Sequence, residues 1–466
     1  MLPTKKFVSM LCVSLALLGG SFTTAQAARV KAQAAAPLSP QAKAALDKEF
    51  DAMIGNSGTK VPGLGVVVYK DGQKVYSRFA GRRKISSNPA WNRPVTPDTR
   101  FWGASISKEF TGYSIMQLVG QNKLKLDGDA GTYLGFKLRN PNYPNTPITV
   151  RMLLSHTSSI RDGNEAYSLP PFYRLQSYFT PGYEFWDGGS HFAPAGQAPG
   201  AYFDYCNLNY GLLATIIEKV SGQRFDLYQK SHILKDLDMQ ADYVPANLGK
   251  AQFANLGTPY RHRDGAWVAQ TDDFQGKQPP ANCIRAHYPL VSSPMTWFNL
   301  KRYKPGNNAT IFAPQGGLRV SYNELEHTLQ MLLNQGRYNG KQVVKPELLQ
   351  QMLTPQWRYN AATKNGDNYG GSIEAYGLSL YPLYGNGTSR PCKDYAIDLW
   401  GHTGEAYGMM TGIFMRPGTR DGFVYMLNGT AIDESSAAAG GKYSGNTIWE
   451  EQVMDKVCRN FFAPAK

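Results

Sequence analysis

Ser105-Ile-Ser-Lys108 sets a hydroxyl and an amine three residues apart, a spacing at which the two can act as one unit. A serine hydroxyl is a poor nucleophile at neutral pH and needs a neighbour to take its proton. Residues three apart on a helix share a face, so a helical stretch here would bring Lys108 beside the Ser105 hydroxyl. Glu109, Phe110, Tyr113, Ile115, Met116, Leu118 and Val119 continue as a helical pattern up to Gly120. Ser57-Gly-Thr-Lys60 has the same spacing but lies among Gly58, Pro62 and Gly63, which argue against a helix. Ordinary residue usage yields such a pair by chance on the order of once or twice in a chain of this length, so context separates them. The plainer alternative for Ser105 is a helix N-cap with no chemistry.

A serine–lysine nucleophile needs a proton path to the leaving group and donors for the developing oxyanion. Tyr205-Cys-Asn207 suits the first need. Tyr143-Pro-Asn145 and Tyr384-Gly-Asn386 share the pattern but fall in turns, whereas Tyr205 stands directly before a helical run. A nearby Lys108 would favour the Tyr205 phenolate, letting it act as base and then as acid. The alternative is a buried tyrosine with a satisfied hydroxyl. For the second need, Trp400-Gly-His402-Thr403-Gly404-Glu405 precedes a strand pattern, and Gly404 permits close approach of substrate to backbone. The amides of Glu405 and Ser105 could then form an oxyanion hole.

These motifs must be held by the elements around them. The sequence predicts a helix from about Pro40 to Ile54, and strands at 65–70 and 74–81 joined by Asp71-Gly72. Thr149 to Leu154 starts a further helix. Leu208 to Val220 reads as amphipathic, with Leu212, Leu213, Ile216, Ile217 and Val220 on one face and Gly222 as its stop. Ser321-Tyr-Asn-Glu324 is a capping box opening a helix through Leu333. Strand patterns follow at 377–381, 408–416 and 422–428, with a closing helix over 446–457. Residues 163–200 and 255–312 are irregular and aromatic. Strands at both ends and helices between them predict an α+β fold of two lobes, its sheet assembled from both chain ends. The sheet lobe would span about 40–104 and 313–462, and the helical lobe about 105–312.

With these motifs in this order, the chain resembles the serine β-lactamase/DD-peptidase superfamily, in the group that includes class C β-lactamases, family VIII esterases and DD-carboxypeptidases. The supporting stretches are Thr149-Val-Arg-Met-Leu-Leu-Ser-His-Thr-Ser158, Asn209-Tyr-Gly-Leu-Leu213 and Gly316-Gly-Leu318. The resemblance runs from about residue 40 to 460. It implies a mostly antiparallel sheet flanked by helices and packed against an all-helical lobe, with the site between them. It also implies Ser105 as nucleophile, Lys108 and Tyr205 as the general base system, and Asn207 as binder of the substrate amide. His402, Thr403 and Gly404 would lie on the strand that docks substrate. Three departures stand out: Cys206 where serine is common, His402 where class C β-lactamases carry lysine, and the aromatic insertions at 163–200 and 255–312. The histidine favours peptidases and esterases over efficient β-lactam hydrolysis.

The expected function is an exported serine hydrolase acting through an acyl-enzyme on amide bonds of D-amino-acid peptides. A family VIII-type esterase and a weak β-lactamase are the alternatives, and a non-catalytic binder of peptide or cell-wall fragments is the remote one. Lys5 and Lys6 followed by the apolar run Phe7–Leu18 and Ala25-Gln-Ala27 read as a signal peptide over 1–27, with an Ala/Pro-rich tether over 28–39. The mature chain is therefore expected to be periplasmic or extracellular, without a transmembrane anchor. Losing Lys5 and Lys6 takes the formal charge from +14 to +12, and the basic residues form no aromatic-interleaved stripe, so nucleic acid is not expected. The histidines lack metal-ligand spacing, and no cofactor motif is present, so neither a metal nor a cofactor is expected; His156 reads as structural. Of the four cysteines after the leader, Cys206 is expected to be buried and unpaired. That leaves a single bridge among Cys283, Cys392 and Cys458.

Overall fold

The computed structural model describes residues 38–163, 168–286, 296–433 and 436–464; the signal peptide expected over 1–27 and all but two residues of the tether expected over 28–39 lie outside them. Ser39 caps helix α1 (Pro40–Asp51), its side chain accepting from the Ala42 amide while Pro40 opens the first turn. Strands β1 (Gly63–Lys70) and β2 (Gln73–Lys84) form a hairpin about Asp71 and Gly72, both with positive φ, the conformation that matches strand twist. A short β3 (Arg93–Pro94) follows. Helices α2 (Ser107–Gly120), α3 (Leu208–Ser221) and α4 (Tyr322–Leu333) come next. Strands β4 (Tyr381–Leu383), β5 (Leu399–Ala406), β6 (Met409–Met415) and β7 (Gly422–Leu427) precede helix α5 (Ile448–Val457).

The strands lie side by side as β4-β5-β6-β7-β1-β2-β3, every neighbour antiparallel. The first strand is thus joined to the last, Leu64 opposite Leu427 and Val68 opposite Phe423. Because side chains alternate along a strand, the sheet serves two cores. Val67, Ile413, Val424 and Met426 pack with α2, α3 and α4, while Val66, Val68, Phe414, Phe423 and Tyr425 pack with Phe50 of α1 and Trp449 and Val453 of α5. The expected α+β architecture, with its sheet drawn from both chain ends, is what forms.

Both halves of the Ser321–Glu324 capping box are made, and a second box, Thr447–Glu450, opens α5. Elsewhere the elements differ from expectation. Helix α3 is not a surface amphipath: every residue from Leu208 to Glu218 is buried, because neighbours cover the face that also carries Asn209 and Tyr210. The strand expected at 377–381 is interrupted by a turn at Ser379 (φ 64°), giving Ala375–Tyr376 and then β4. Within the aromatic stretch 255–312, two short antiparallel strand pairs form, Tyr260–Arg263 with Ala266–Ala269 and Cys283–Ala286 with Thr296–Asn299. Among the described residues no helix is long and apolar enough to cross a membrane.

Among the described residues, Cys392 and Cys458 form the one bridge, their Cα atoms 5.8 Å apart across 66 residues, while Cys206 is free and buried and Cys283 is free. The bridge ties the segment before β5 to the end of α5. A link closing a loop of that length is worth about 2–4 kcal/mol, mostly by restricting the unfolded chain. The double variant Cys392→Ser/Cys458→Ser should therefore unfold at clearly lower denaturant concentration. An unchanged midpoint would show the bridge to be energetically idle.

Candidate active site

Ser105 lies on a single 3-10 turn, Ala104–Ile106, that feeds into α2, rather than on the first turn of an α-helix. Ala104 has φ 49°, a left-handed conformation that a residue with a Cβ adopts at a cost of roughly 1–3 kcal/mol. That turn is clamped by a stretch of chain far along the sequence. The Gly103 amide donates to Leu318 O at 2.7 Å, and the Leu318 amide donates to Ser107 Oγ at 3.2 Å. So the Ser107 inside the Ser-x-x-Lys motif has a structural duty of its own.

Lys108 is fully buried, and its Nζ lies 3.0 Å from Ser105 Oγ and donates to Asn207 Oδ1 at 2.9 Å and Gln315 O at 3.1 Å; toward Ser105 it donates only as the ammonium. Burial pushes its pKa down to about 7, although the Asp162 charge pulls the other way. Near neutral pH the amine is therefore poised between its two forms. A neutral amine has two N–H groups and one lone pair. With Asn207 Oδ1 and Gln315 O taking the two hydrogens, the lone pair is left to the Ser105 hydroxyl.

Tyr205 is set by α3, which begins three residues later, and by His156, whose ring stacks on it at 4.3 Å between centroids. Lys108 Nζ lies 4.6 Å from the Tyr205 ring centroid, over the ring face. Burial raises the Tyr205 pKa well above its ordinary value, and a hydrogen bond with Ser105 only partly offsets this. Contrary to the expectation of a favoured phenolate, the phenol is the stable form, because burial outweighs a lysine that is itself close to neutral.

His402, Thr403, Gly404 and Glu405 lie within β5, not ahead of a strand. Strand β4 reaches only to Gly401, so beyond that point β5 is paired on one side alone, with β6, and is an edge. His402 is buried; Tyr376 Oη lies 2.8 Å from its Nε2, and its Nδ1 contacts Thr403 O. A carbonyl only accepts, so Nδ1 carries the hydrogen and Nε2 accepts from Tyr376. Burial, and then the charge of Lys108, drive its pKa down to about 3, so the ring is neutral at working pH. Tyr381 Oη meets Thr403 Oγ1 at 2.8 Å.

Gly404 is where β5 approaches the nucleophile. A Cβ there would come within 2.8 Å of the Ser105 amide nitrogen and 2.2 Å of Thr411 Oγ1. Thr411 Oγ1 in turn donates to Gly103 O at 2.8 Å, tying β6 to the same turn. The Glu405 amide follows one residue on. Gly404→Ala should push β5 away from Ser105 and lower kcat about 10²-fold, the scale of one lost oxyanion donor. Wild-type kcat in the Gly404→Ala variant would remove these amides from the chemistry.

Ser105, Tyr205, Asn207, His402, Thr403 and Glu405 all line one cleft of about 850 Å³. Sequence reasoning missed Gln315, whose contribution is a backbone carbonyl, and Asp162, which accepts from Asn207 Nδ2 at 2.9 Å. It assigned His156 to structure without seeing that the ring supports Tyr205. A carbonyl carries no residue signature, and Asp162 sits in no spacing pattern with its partner.

A family model for Beta-lactamase matches residues 46–441. The chain belongs to this family, within the serine β-lactamase/transpeptidase superfamily. Protein flp of Staphylococcus aureus (strain MRSA252) is 27% identical over 198 residues, 42% of this chain and 38% of that one. The chain thus spans less than two fifths of the length of the curated staphylococcal relatives it matches. Among solved structures, the octameric penicillin-binding protein homologue from Pyrococcus abyssi superposes with a TM-score of 0.55 at 25% identity, covering 84% of this chain and 74% of that one. A D-stereospecific amidohydrolase from Streptomyces sp. gives 0.52 at 20% identity, covering 90% and 99%, which shows the shared fold.

Proposed function

We propose that the protein is an exported serine hydrolase that cleaves amide bonds in peptides containing D-amino acids through an acyl-enzyme on Ser105. The carrying observation is the Lys108 amine, 3.0 Å from Ser105 Oγ, buried, with its other contacts both acceptors. Ser105 Oγ attacks the carbonyl carbon as its proton passes to Lys108 Nζ. The oxyanion lies between the Ser105 and Glu405 amides. Tyr205, as a phenol, delivers its proton to the departing amine and is reprotonated by the Lys108 ammonium, which restores both groups; water then attacks the acyl carbonyl, giving its proton to Lys108, which returns it to Ser105 Oγ as the serine leaves. Asn207 and the edge of β5 from His402 to Gly404 hold the substrate backbone.

Membership of the family supports the acyl-enzyme chemistry. A neutral His402 supports peptide over β-lactam as substrate, since this strand then lacks the cation that class C β-lactamases carry at that position. The leader and the Cys392–Cys458 bridge support export, because such bridges persist in oxidising compartments.

One substrate panel tests the assignment: a D-Ala-D-Ala peptide, a D-amino-acid amide, a short-chain nitrophenyl ester and a chromogenic cephalosporin. The D-peptide or D-amide is expected to give the highest kcat/KM. Rapid ester turnover with both amides inert would replace the amidase by an esterase and leave the acyl-enzyme standing.

A further inference from the structure

Residues 155–162 wrap the stretch that carries Tyr205 and Asn207. The Asp204 amide donates to His156 O at 3.0 Å, the Cys206 amide to His156 Nδ1 at 3.0 Å, and Ser158 Oγ to Asn209 Oδ1 at 2.7 Å. At the end of this wrap, the Asp162 carboxylate takes donors from three consecutive residues. These are Cys206 Sγ at 3.3 Å, Asn207 Nδ2 at 2.9 Å and the Leu208 amide at 2.8 Å. Nothing in the expected chemistry uses this carboxylate.

We propose that Asp162 is a positioning residue for acylation, locking the Asn207 side chain with its nitrogen toward Asp162 and its oxygen toward Lys108. This rests on the reading of Ser105 and Lys108 as the acylating pair. The two ends of a primary amide have nearly the same shape and differ only in what they hydrogen-bond. A carboxylate accepts and cannot donate, so Asp162 selects one end. A flipped Asn207 would set Nδ2 against Lys108 Nζ, donor against donor in a buried site. The neutral amine would then turn its lone pair to Asn207 and donate to Ser105, and a base that donates to its nucleophile cannot deprotonate it. Asp162 therefore decides which way the Lys108 lone pair faces.

The other groups around the amine do not substitute for it. His156 and His402 are both held neutral by burial with Lys108 adding to the effect, and Tyr205 and Tyr210 present ring faces at 4.6 and 5.4 Å. The Cys206 thiol is kept protonated by burial and itself donates to Asp162. Asp162 is also the charge that most opposes the burial of Lys108, so its removal lowers the lysine further.

The test follows the rate of covalent labelling by a fluorescent penicillin, from pH 5 to 10, for the mature wild type, Asp162→Asn, Asp162→Glu and Ser158→Ala, with thermal midpoints recorded for each. Asp162→Asn keeps the shape but can present either amide end. Its plateau rate is expected to fall at least tenfold, and its acid limb to move below that of the wild type. Asp162→Glu changes the shape but only accepts, and is expected to label faster than Asp162→Asn. Ser158→Ala loosens the same wrap and should lower the midpoint while leaving the limb in place. An Asp162→Asn protein with the wild-type plateau and limb overturns the proposal, as does a Glu variant slower than the Asn variant or a Ser158→Ala limb displaced like that of Asp162→Asn. A wild type that takes no label at Ser105 instead overturns the acyl-enzyme reading on which this rests.

Discussion

Ser105→Ala is expected to take no fluorescent penicillin and to lose turnover of every amide and ester in the panel by about 10⁴-fold or more, the scale seen when a covalent nucleophile is removed. The alanine methyl can form no bond to the acyl carbon, and the buried Lys108 amine keeps its contacts to Asn207 Oδ1 and Gln315 O. The clamp on the turn, from Gly103 and Ser107 to Leu318, does not involve the Ser105 hydroxyl. The variant should therefore fold, with a thermal midpoint close to that of the wild type. Loss of labelling with retained stability assigns the nucleophile. Equal labelling of both proteins would transfer the chemistry to another residue, and hydrolysis without any label would point to direct attack by water.

The second large effect is in the pH profile. Lys108 works as a base only when neutral, and burial sets its pKa at about 7. Below that value kcat/KM should fall tenfold per pH unit, and above it the profile should level off. The shift from 10.5 to about 7 corresponds to about 5 kcal/mol against the buried ammonium. Its sign for stability follows: the unfolded chain binds more protons between pH 7 and 10.5, so this group's contribution becomes more favourable as pH rises through that window. Tyr205→Phe distinguishes the two candidate bases. If Lys108 is the base, the variant keeps the limb near 7 and loses about 10²–10³-fold on the plateau, the weight of a missing proton donor. A tyrosinate base would instead place the limb far into the alkaline range, where burial holds the Tyr205 phenol, and Tyr205→Phe would erase it. Lys108→Arg should be inactive at every pH tested, because a guanidinium does not surrender its proton.

Much of the site was legible because its parts are local. Ser105 and Lys108 lie one turn apart, so the helical pattern after them was enough to separate this pair from Ser57 and Lys60. Tyr205 and Asn207 were legible from the helix they precede. The third motif, which the sequence places ahead of a strand, lies within β5, where Gly401 leaves the backbone close to Ile413 and Gly404 leaves it close to Ser105. The amphipathic reading of α3 failed. Leu212, Leu213, Ile216, Ile217 and Val220 mark one apolar face, yet Asn209 and Tyr210 are buried as well, Asn209 accepting from Ser158 and Tyr210 bonding to Ser379.

Residue order alone determined the α+β architecture and marked Ser105 and Lys108 as a candidate pair. These follow from periodicity, capping and spacing, which act over a few residues and leave their mark in the chain. Which oxygen each Lys108 hydrogen meets was decided by folding. Gln315 O and Asn207 Oδ1 arrive from 207 and 99 residues away, and Asp162 meets Asn207 across 45. The same holds for the proton itself. A lysine becomes a base near neutral pH only when packing has removed water from around it, and burial is a property of the assembled fold, not of the four letters that first drew attention to Ser105.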